Sequence, residues 1–202
     1  HGGGVQGYCV SIKKRQPIFS VRVSNTLARV EGDGRLEDGW NHLVCQLLED
    51  GSLSIFLNGK QVGAGKGPGL IPSNPANPLE IGGDTGSIVD ADLFADAPQP
   101  PRFAGSVDDL RIRHQPMTLA EAQAAFADPA AADGPAVLLC TFDNGDARDS
   151  SRPNGPNPPM GDLPTAAGRL GEAVVFPKRV ARPAAPATTA IGENGLGFEQ
   201  KW

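Results

Sequence analysis

The dipeptide Asn58-Gly59, between two short runs that alternate apolar and polar residues, constrains the fold of this 202-residue chain more than any other feature. Both residue types tolerate positive φ, so the pair predicts a type I′ turn that reverses one strand directly into the next. Residues 52–57 place every second side chain on one face, and residues 60–63 return as their partner. The sequence therefore predicts a β-hairpin at this point.

Neighbouring runs extend this hairpin into a sheet. Residues 41–48 are apolar on both faces, as in an inner strand of a sandwich, and residues 7–13 and 18–23 form a second alternating pair. Residues 103–112 predict a further strand, whose alternation slips near Asp108-Asp109 in a way that a bulge would explain. With 26 Gly, 19 Pro and 5% aromatic residues, the composition favours short strands joined by many turns.

Charge and hydropathy argue against two classes of partner. The net charge is −5 and the basic residues are scattered, so a nucleic-acid partner is not expected. The one basic cluster, Lys13-Lys14-Arg15, is interpreted as a solvated turn. No apolar run approaches the roughly 20 residues that a membrane-spanning helix needs. The ends, His1 and Trp202, are interpreted either as cuts from a longer polypeptide or as products of processing.

One short helix is predicted after the last strand of this first part. Thr118 and Glu121 have the spacing of a capping box, and the helix is expected to run to about Phe126. Asp128-Pro129 ends it, and residues 131–136 are interpreted as a linker.

The pieces found so far occur in a characteristic order over residues 5–128. They are the strand with Trp40, His42 and Val44, the Leu53-to-Leu57 strand closed by Asn58-Gly59, Leu79-Glu80-Ile81-Gly82, the strand with Phe103, Gly105, Val107 and Asp108, and the short helix. Together they resemble the laminin G-like family of concanavalin A-like jelly rolls. The resemblance implies an all-β fold, an antiparallel β-sandwich with one short helix.

The opening strands of such domains do not precede Gly7, but similar pieces occur later in the chain. These are Phe142-Asp143, Asp149-Ser150-Ser151 and the stretch 168–176 with its Gly-x-x-Gly spacing. The resemblance therefore implies a laminin G-like sandwich over residues 1–130 that lacks its opening strands.

The remaining residues divide accordingly into three parts. A linker is expected over 131–136, the opening strands of a laminin G-like unit over 137–178, and a linker or tail over 179–202. Either the later strands fold back and complete the first sandwich, or the missing strands lie outside this chain. Folding back is the more economical of the two, because a sandwich without its opening strands leaves unpaired edges.

The sequence offers no recognisable catalytic machinery. Glycosidases of this fold need two carboxylates on one strand, as in Glu-x-Asp-x-x-Glu, and that pattern is absent from the sequence. Glu31-Gly32-Asp33 has a related spacing but falls in a Gly-rich turn. His1, His42 and His114 are far apart in sequence, and the Gly-rich stretches do not match phosphate loops. We therefore expect no enzyme activity and no organic cofactor.

A structural calcium ion is the one metal that the resemblance implies. Asp108 and Asp149 match the aspartates with which such domains hold Ca²⁺, an ion that prefers oxygen ligands from loops. The alternative is that each carboxylate only accepts hydrogen bonds from backbone N–H groups. The aspartates between residues 84 and 96 are interpreted as mostly solvated.

The three cysteines, Cys9, Cys45 and Cys140, match no zinc or redox motif. Each lies in an apolar, strand-like run, so a small buried side chain is the first interpretation. A disulfide between Cys9 and Cys45 stays open as an alternative.

The resemblance implies a non-catalytic recognition or adhesion module, which binds a glycan or an extracellular protein within a larger secreted or surface-attached bacterial protein. An extracellular, cell-surface or periplasmic location follows. The alternatives are a spacer or docking domain packed against a catalytic or propeller-type neighbour and, less favoured, a glycoside hydrolase. For stacking against sugars the loops offer only Phe94 and Phe103, since Tyr8 and Trp40 are expected to be buried.

Overall fold

The computed structural model describes residues 5–73, 78–83, 88–96, 101–131, 134–152, 154 and 163–178. Its strands, in chain order, are β1 Gly7–Lys13, β2 Gln16–Val23, β3 Thr26–Glu31, β4 Leu43–Leu47, β5 Ser52–Leu57, β6 Lys60–Lys66, β7 Gly105–Val107, β8 Leu110–Ile112, β9 Leu138–Cys140, β10 Thr165–Ala167 and β11 Glu172–Phe176. An α-helix, α1, spans Leu119–Ala127. The described residues therefore form a mostly β structure.

Every strand pair in the structure is antiparallel. The strands form sheets of order β1-β2-β3, β4-β5-β6, β10-β11-β7 and β8-β9. The predicted fold class, an antiparallel β-sandwich with a short helix, is confirmed.

Two-residue turns close three of the four hairpins in the first two sheets, and residues 48–51 connect β4 to β5. Asn58 and Gly59 have φ values of 51° and 73°, as the Asn-Gly signal predicts. Lys14 and Arg15 adopt the same left-handed conformation between β1 and β2, and so do Ser24-Asn25 between β2 and β3. Strand β3 was not predicted, because Ser-Asn is a weaker turn signal than Asn-Gly.

The main hydrophobic core lies between the β1-β2-β3 and β4-β5-β6 sheets. Its buried members are Phe19, Val21, Val30, Leu53 and Ile55. Burying a side chain of this size stabilises the fold by roughly 1.5–3 kcal/mol relative to leaving it in water. The alternating apolar side chains predicted for β2 and β5 therefore point into this core.

Two glycines allow β6 to approach β3 closely. A Cβ atom on Gly63 or Gly65 would lie 2.9 or 2.7 Å from a methyl carbon of Val30, closer than real side chains pack. Asp33 N also donates to Val62 O at 2.8 Å, just beyond the end of β3. The edges of the two facing sheets therefore meet along this side of the core.

The strands that follow residue 137 pair with β7 and β8. In the β11–β7 ladder Val175 lies opposite Ser106, and in the β9–β8 ladder Leu139 lies opposite Arg111. A second hydrophobic cluster, with Cys140, Phe142, Ala147 and Val174 buried, forms here. How the chain divides into domains stays a prediction, and these two ladders are the contacts that favour folding back.

Other local expectations have mixed outcomes. The strand predicted at residues 79–83 is reduced to one bridge between Gly83 and Arg102. The single strand predicted over residues 103–112, with a bulge near Asp108-Asp109, is instead two strands in separate sheets, because β7 ends at Val107, β8 begins at Leu110, and Asp109 has a φ of 52°. The tail, 179–202, lies outside the described residues. Within the described ranges no helix is long and apolar enough to cross a membrane.

Cys9, Cys45 and Cys140 form no disulfide with one another in this structure. Cys140 is buried, and Cys9 and Cys45 are half-buried on β1 and β4. Burial raises the pKa of the Cys45 thiol to about 12, so this thiol is not poised for reaction. The interpretation as a small buried side chain therefore holds for Cys140, whereas Cys9 and Cys45 are only half-buried.

Helix α1 begins at the predicted capping box and packs on the second sheet. The Thr118 hydroxyl accepts from Glu121 N, and the Glu121 carboxylate accepts from Thr118 N at 2.7 Å. Just before the helix, the Gln46 amide of β4 donates to Met117 O and accepts from Met117 N. The His42 ring stacks on Phe126 with the ring centroids 6.5 Å apart.

We expect the protein to lose stability in mild acid because of His42. Its Nδ1 atom is buried without a hydrogen-bond partner in the described structure, and burial lowers its pKa below the ordinary value of 6.5. The unfolded chain then binds the proton more readily, so stability is complete above about pH 6.5 and falls below it. Urea unfolding at about pH 8 and pH 5 measures this slope. His42→Gln should reduce this pH dependence of stability, whereas His114→Gln, at an exposed position, should leave it unchanged. Equal pH dependence in the two variants would contradict the assignment to His42.

Candidate functional site

A segment between β6 and β7 lies across the outer face of β2. This segment, residues 88–96, is called the strap; it contains a single 3₁₀ turn, Asp92–Phe94. Val89 and Leu93 of the strap are buried, with 1% and 4% of their surface exposed. On β2, Phe19 and Val21 face the core, while Ser20 faces the strap and is fully buried. The strap therefore buries the face of β2 that would otherwise meet water.

A buried carboxylate holds the strap on the sheet. Asp90, 1% exposed, accepts a hydrogen bond from Ser20 Oγ at 2.6 Å and a bidentate pair from the Arg29 guanidinium of β3. Leu93 N donates to the same carboxylate from within the strap. Burial alone would raise the pKa of Asp90, but the bonds from Arg29 and Ser20 outweigh it and hold that pKa below its usual range.

Two further cations bind the backbone of the strap. Lys13 Nζ of β1 donates to Leu93 O at 2.6 Å, and Arg22 Nε of β2 donates to Val89 O at 2.9 Å. With Arg29, each strand of the first sheet supplies one basic side chain to the strap. The strap is therefore fixed at several points along its length.

A cleft of about 260 Å³ opens beside the strap, over the β1–β2 turn and β3. Among its lining residues Ile18 and Leu93 are buried, whereas Lys14, Glu31 and Asp92 are exposed. Gln16 lines the wall and donates to Gly32 O. The lining therefore combines cationic, anionic and amide side chains with two apolar ones, a mixture that suits a ligand rich in hydroxyl groups.

Asp108, a predicted metal ligand, lies at the break between β7 and β8. Its Oδ2 atom accepts from Arg169 N at 2.7 Å and from Leu170 N at 2.8 Å, in the turn that precedes β11. Its Oδ1 atom is buried and has no hydrogen-bond partner in the described structure. Burial, with smaller effects from the Asp109 and Asp143 charges, raises the pKa of Asp108.

Asp149, the other predicted ligand, is 1% exposed and has both oxygens engaged. Oδ1 accepts from Leu139 N at 3.2 Å and from the backbone N and hydroxyl of Ser151. Oδ2 accepts from Nε and a terminal nitrogen of Arg152, at 3.1 and 2.8 Å. The bonds from Ser151 and Arg152 hold the pKa of Asp149 far below its usual range. Asp149 therefore fixes its loop against β9.

Residues 2–123, more than half of the chain, match the Laminin_G_3 family model, described as the concanavalin A-like lectin/glucanases superfamily. The chain belongs to this family. The matched range includes the strap, the cleft and Asp108, whereas Asp149 lies outside it. No curated protein and no solved structure matches the chain.

The aspartates of this laminin G-like chain do not fit a calcium site shared by the predicted pair. Asp108 offers one oxygen without a partner, and Asp149 offers none, because its oxygens accept five hydrogen bonds. Ca²⁺ takes about six to eight oxygen ligands. In the part of the chain that the structure describes, no group of three His, Cys, Asp or Glu side chains could hold a metal. Structural calcium stays a prediction.

Sequence reasoning missed the residues that shape the cleft of this laminin G-like domain. The interpretation of the loop aspartates as solvated suits the exposed Asp92 and Asp96 but is wrong for Asp90. Apolar neighbours Val89 and Leu93 were a signal that this loop is anchored. The expectation that Trp40 is buried is also wrong, because 39% of its surface is exposed.

Replacing Asp90 should destabilise the laminin G-like fold measurably. Asp90→Asn leaves the Arg29 guanidinium without its closer anionic partner, and we expect the free energy of unfolding to fall by roughly 1–3 kcal/mol, since Arg29 is partly exposed. Urea unfolding near neutral pH measures the change. Asp92→Asn, an exposed change in the same strap, is the matched control and should have little effect; equal losses in both variants would reject the anchoring role.

Scanning calorimetry tests structural calcium at Asp108. If the ion binds the folded domain, adding Ca²⁺ to EDTA-treated protein should raise Tm, because a ligand of the folded state stabilises it. Asp108→Asn should abolish the rise, and Mg²⁺ at equal concentration controls for ionic strength. An unchanged Tm of the wild-type protein would reject the metal at both Asp108 and Asp149.

Proposed function

We propose that this laminin G-like chain is a non-catalytic recognition module that binds a saccharide in the cleft beside the strap. Membership of a lectin-containing superfamily supports a binding role in general. The observation that carries the more specific proposal is the cleft itself, which is lined by hydrogen-bond donors and acceptors together with the apolar Ile18 and Leu93. Fold alone would not support this step, because one fold serves many functions.

The lining groups suit the two kinds of surface that a sugar ring presents. Lys14 can donate to ring hydroxyls, Glu31 and Asp92 can accept from them, and the Gln16 amide can do both. The C–H face of the ring can lie on Ile18 and Leu93. At about 260 Å³ the cleft is slightly below the usual range for ligand pockets, roughly 300–1,000 Å³. We therefore expect it to hold one unit of a longer glycan.

The anchored strap makes the cleft a preformed site. The Asp90–Arg29 pair and the Lys13–Leu93 bond hold the strap before any ligand arrives. A site that needs no ordering on binding loses less conformational entropy when it fills. The preformed cleft can therefore bind a saccharide with higher affinity than a flexible site of the same contact area.

The cleft carboxylates favour binding over hydrolysis. Glu31 has 59% of its side chain exposed, and Asp92 is also exposed. Glycosidases need one acid held in an environment that keeps it protonated, next to a second carboxylate that stays ionised. Two water-exposed carboxylates do not supply that contrast.

We propose an extracellular, cell-surface or periplasmic location, which suits a glycan-binding laminin G-like domain.

Glycan-array screening, followed by calorimetric titration of the best glycan, tests the proposal. We expect Glu31→Gln and Gln16→Ala to weaken binding by at least about tenfold. Glu49→Gln and Gln61→Ala make the same changes at exposed positions on the other sheet and should retain affinity.

Three results would count against the saccharide cleft. Equal loss of affinity in the cleft variants and their controls would place binding elsewhere. If no glycan on the array binds the protein, a spacer or docking domain would be favoured. If a glycan is released as a shortened product, a glycoside hydrolase would be favoured.

A further inference from the structure

We propose that residues 137–178 complete the sandwich of their own chain, and that the same residues of a second copy can take their place. The structure describes residues 137–152, 154 and 163–178 of this range, which are called the completing segment. The partner is a second copy of this chain, and the surface that it would occupy is formed by β7, β8 and the residues around Gly82.

The first step concerns the strand edges that the completing segment covers. β11 pairs with β7 and β9 pairs with β8, each over three residue pairs. Val137 N also donates to Ile112 O at 2.8 Å, which extends the second ladder. Without these strands, β7 and β8 would leave their backbone N–H and C=O groups on this side unpaired.

The second step is a shape match around Phe176, the last residue of β11. Its ring lies directly against Gly82, where a Cβ atom would overlap the ring. The ring of Phe103 meets it edge-on, with the centroids 6.1 Å apart. Gly82 and Phe103, joined by a hydrogen bond from Phe103 N to Gly82 O, thus form a socket for Phe176.

The third step is the contact of Asp108 with the turn before β11. Its carboxylate accepts from the backbone of Arg169 and Leu170. Gly168 lies so close that a Cβ atom there would be 2.6 Å from Asp108 Oδ2. The surface formed by β7, β8 and the residues around Gly82 therefore binds the completing segment through backbone pairing, the Phe176 socket and the Asp108 carboxylate.

The completing segment also has internal contacts of its own. β10 and β11 form a hairpin, and Asp143 accepts from Glu172 N at 2.9 Å while Asn144 N donates to the Glu172 carboxylate. The buried members of the second hydrophobic cluster all belong to the segment, which borrows partly buried neighbours such as Val107 and Leu110 from the rest of the chain. The segment can therefore change partner as a unit.

The connection between α1 and β9 gives the segment its reach. Residues 128–137 read Asp-Pro-Ala-Ala-Ala-Asp-Gly-Pro-Ala-Val, a composition that does not favour a continuous helix or strand. Among the described residues of this range, Pro129–Ala131 form a short 3₁₀ turn, which an exchange must open. Extended, ten residues span about 33 Å, enough to enter a neighbouring copy. Exchange of an identical element forms the same contacts between chains as within one, so it depends on protein concentration.

Disulfide trapping in the full-length chain distinguishes the two arrangements. Ser106→Cys with Val175→Cys places thiols at opposed positions of β7 and β11. After refolding and oxidation, we expect a cross-link within one chain in dilute solution and a covalent dimer in concentrated solution. Ser52→Cys with Lys66→Cys, opposed within the β5–β6 hairpin, is the matched control and should cross-link only within one chain. The wild-type protein measures the background from its own cysteines.

Gly82→Leu, which fills the socket, should remove both β7–β11 cross-links and keep the control hairpin cross-link. Failure of the variant that combines Ser106→Cys with Val175→Cys to cross-link in any form would overturn the completion of the sandwich. Cross-linking only within single chains at every concentration would overturn the exchange.

Discussion

The pairing of Asp90 with Arg29 is the interaction on which the outer face of the first sheet depends. A carboxylate withdrawn from water is costly unless several donors replace the lost solvent. Here Ser20, Arg29 and a backbone N–H supply them, and the low pKa of Asp90 is the electrostatic result. The strap covers β2 and lines one side of the cleft. The proposed binding surface therefore depends on the buried Asp90 carboxylate that holds the strap in place.

The features that could be predicted from sequence are those with local causes. The Asn58-Gly59 turn and the Thr118–Glu121 capping box depend on residues within a few positions, and both occur as predicted. The strap was missed because its anchor joins Arg29 to Asp90, which are 61 positions apart. Nothing in the local composition of either residue indicates that pairing.

Asp108 and Asp149 show why residue type and motif position predict a site only in part. Each was expected as a metal ligand, and each accepts backbone hydrogen bonds, the alternative that the sequence also allowed. The two carboxylates differ in where their hydrogen-bond donors lie in the sequence. Ser151 and Arg152 lie next to Asp149 in sequence, whereas the donors to Asp108 come from the distant turn at 169–170.

The two hydrophobic clusters draw on different parts of the chain. The buried members of one come from β2, β3 and β5, and those of the other come from residues 140–174. Such a division favours two cooperative units of unequal strength over a single all-or-none transition. In native-state hydrogen exchange the amides of β9–β11 would then open at a lower free energy than those of β2 and β5. The domain would pass through a partly open form in which the cleft is still intact.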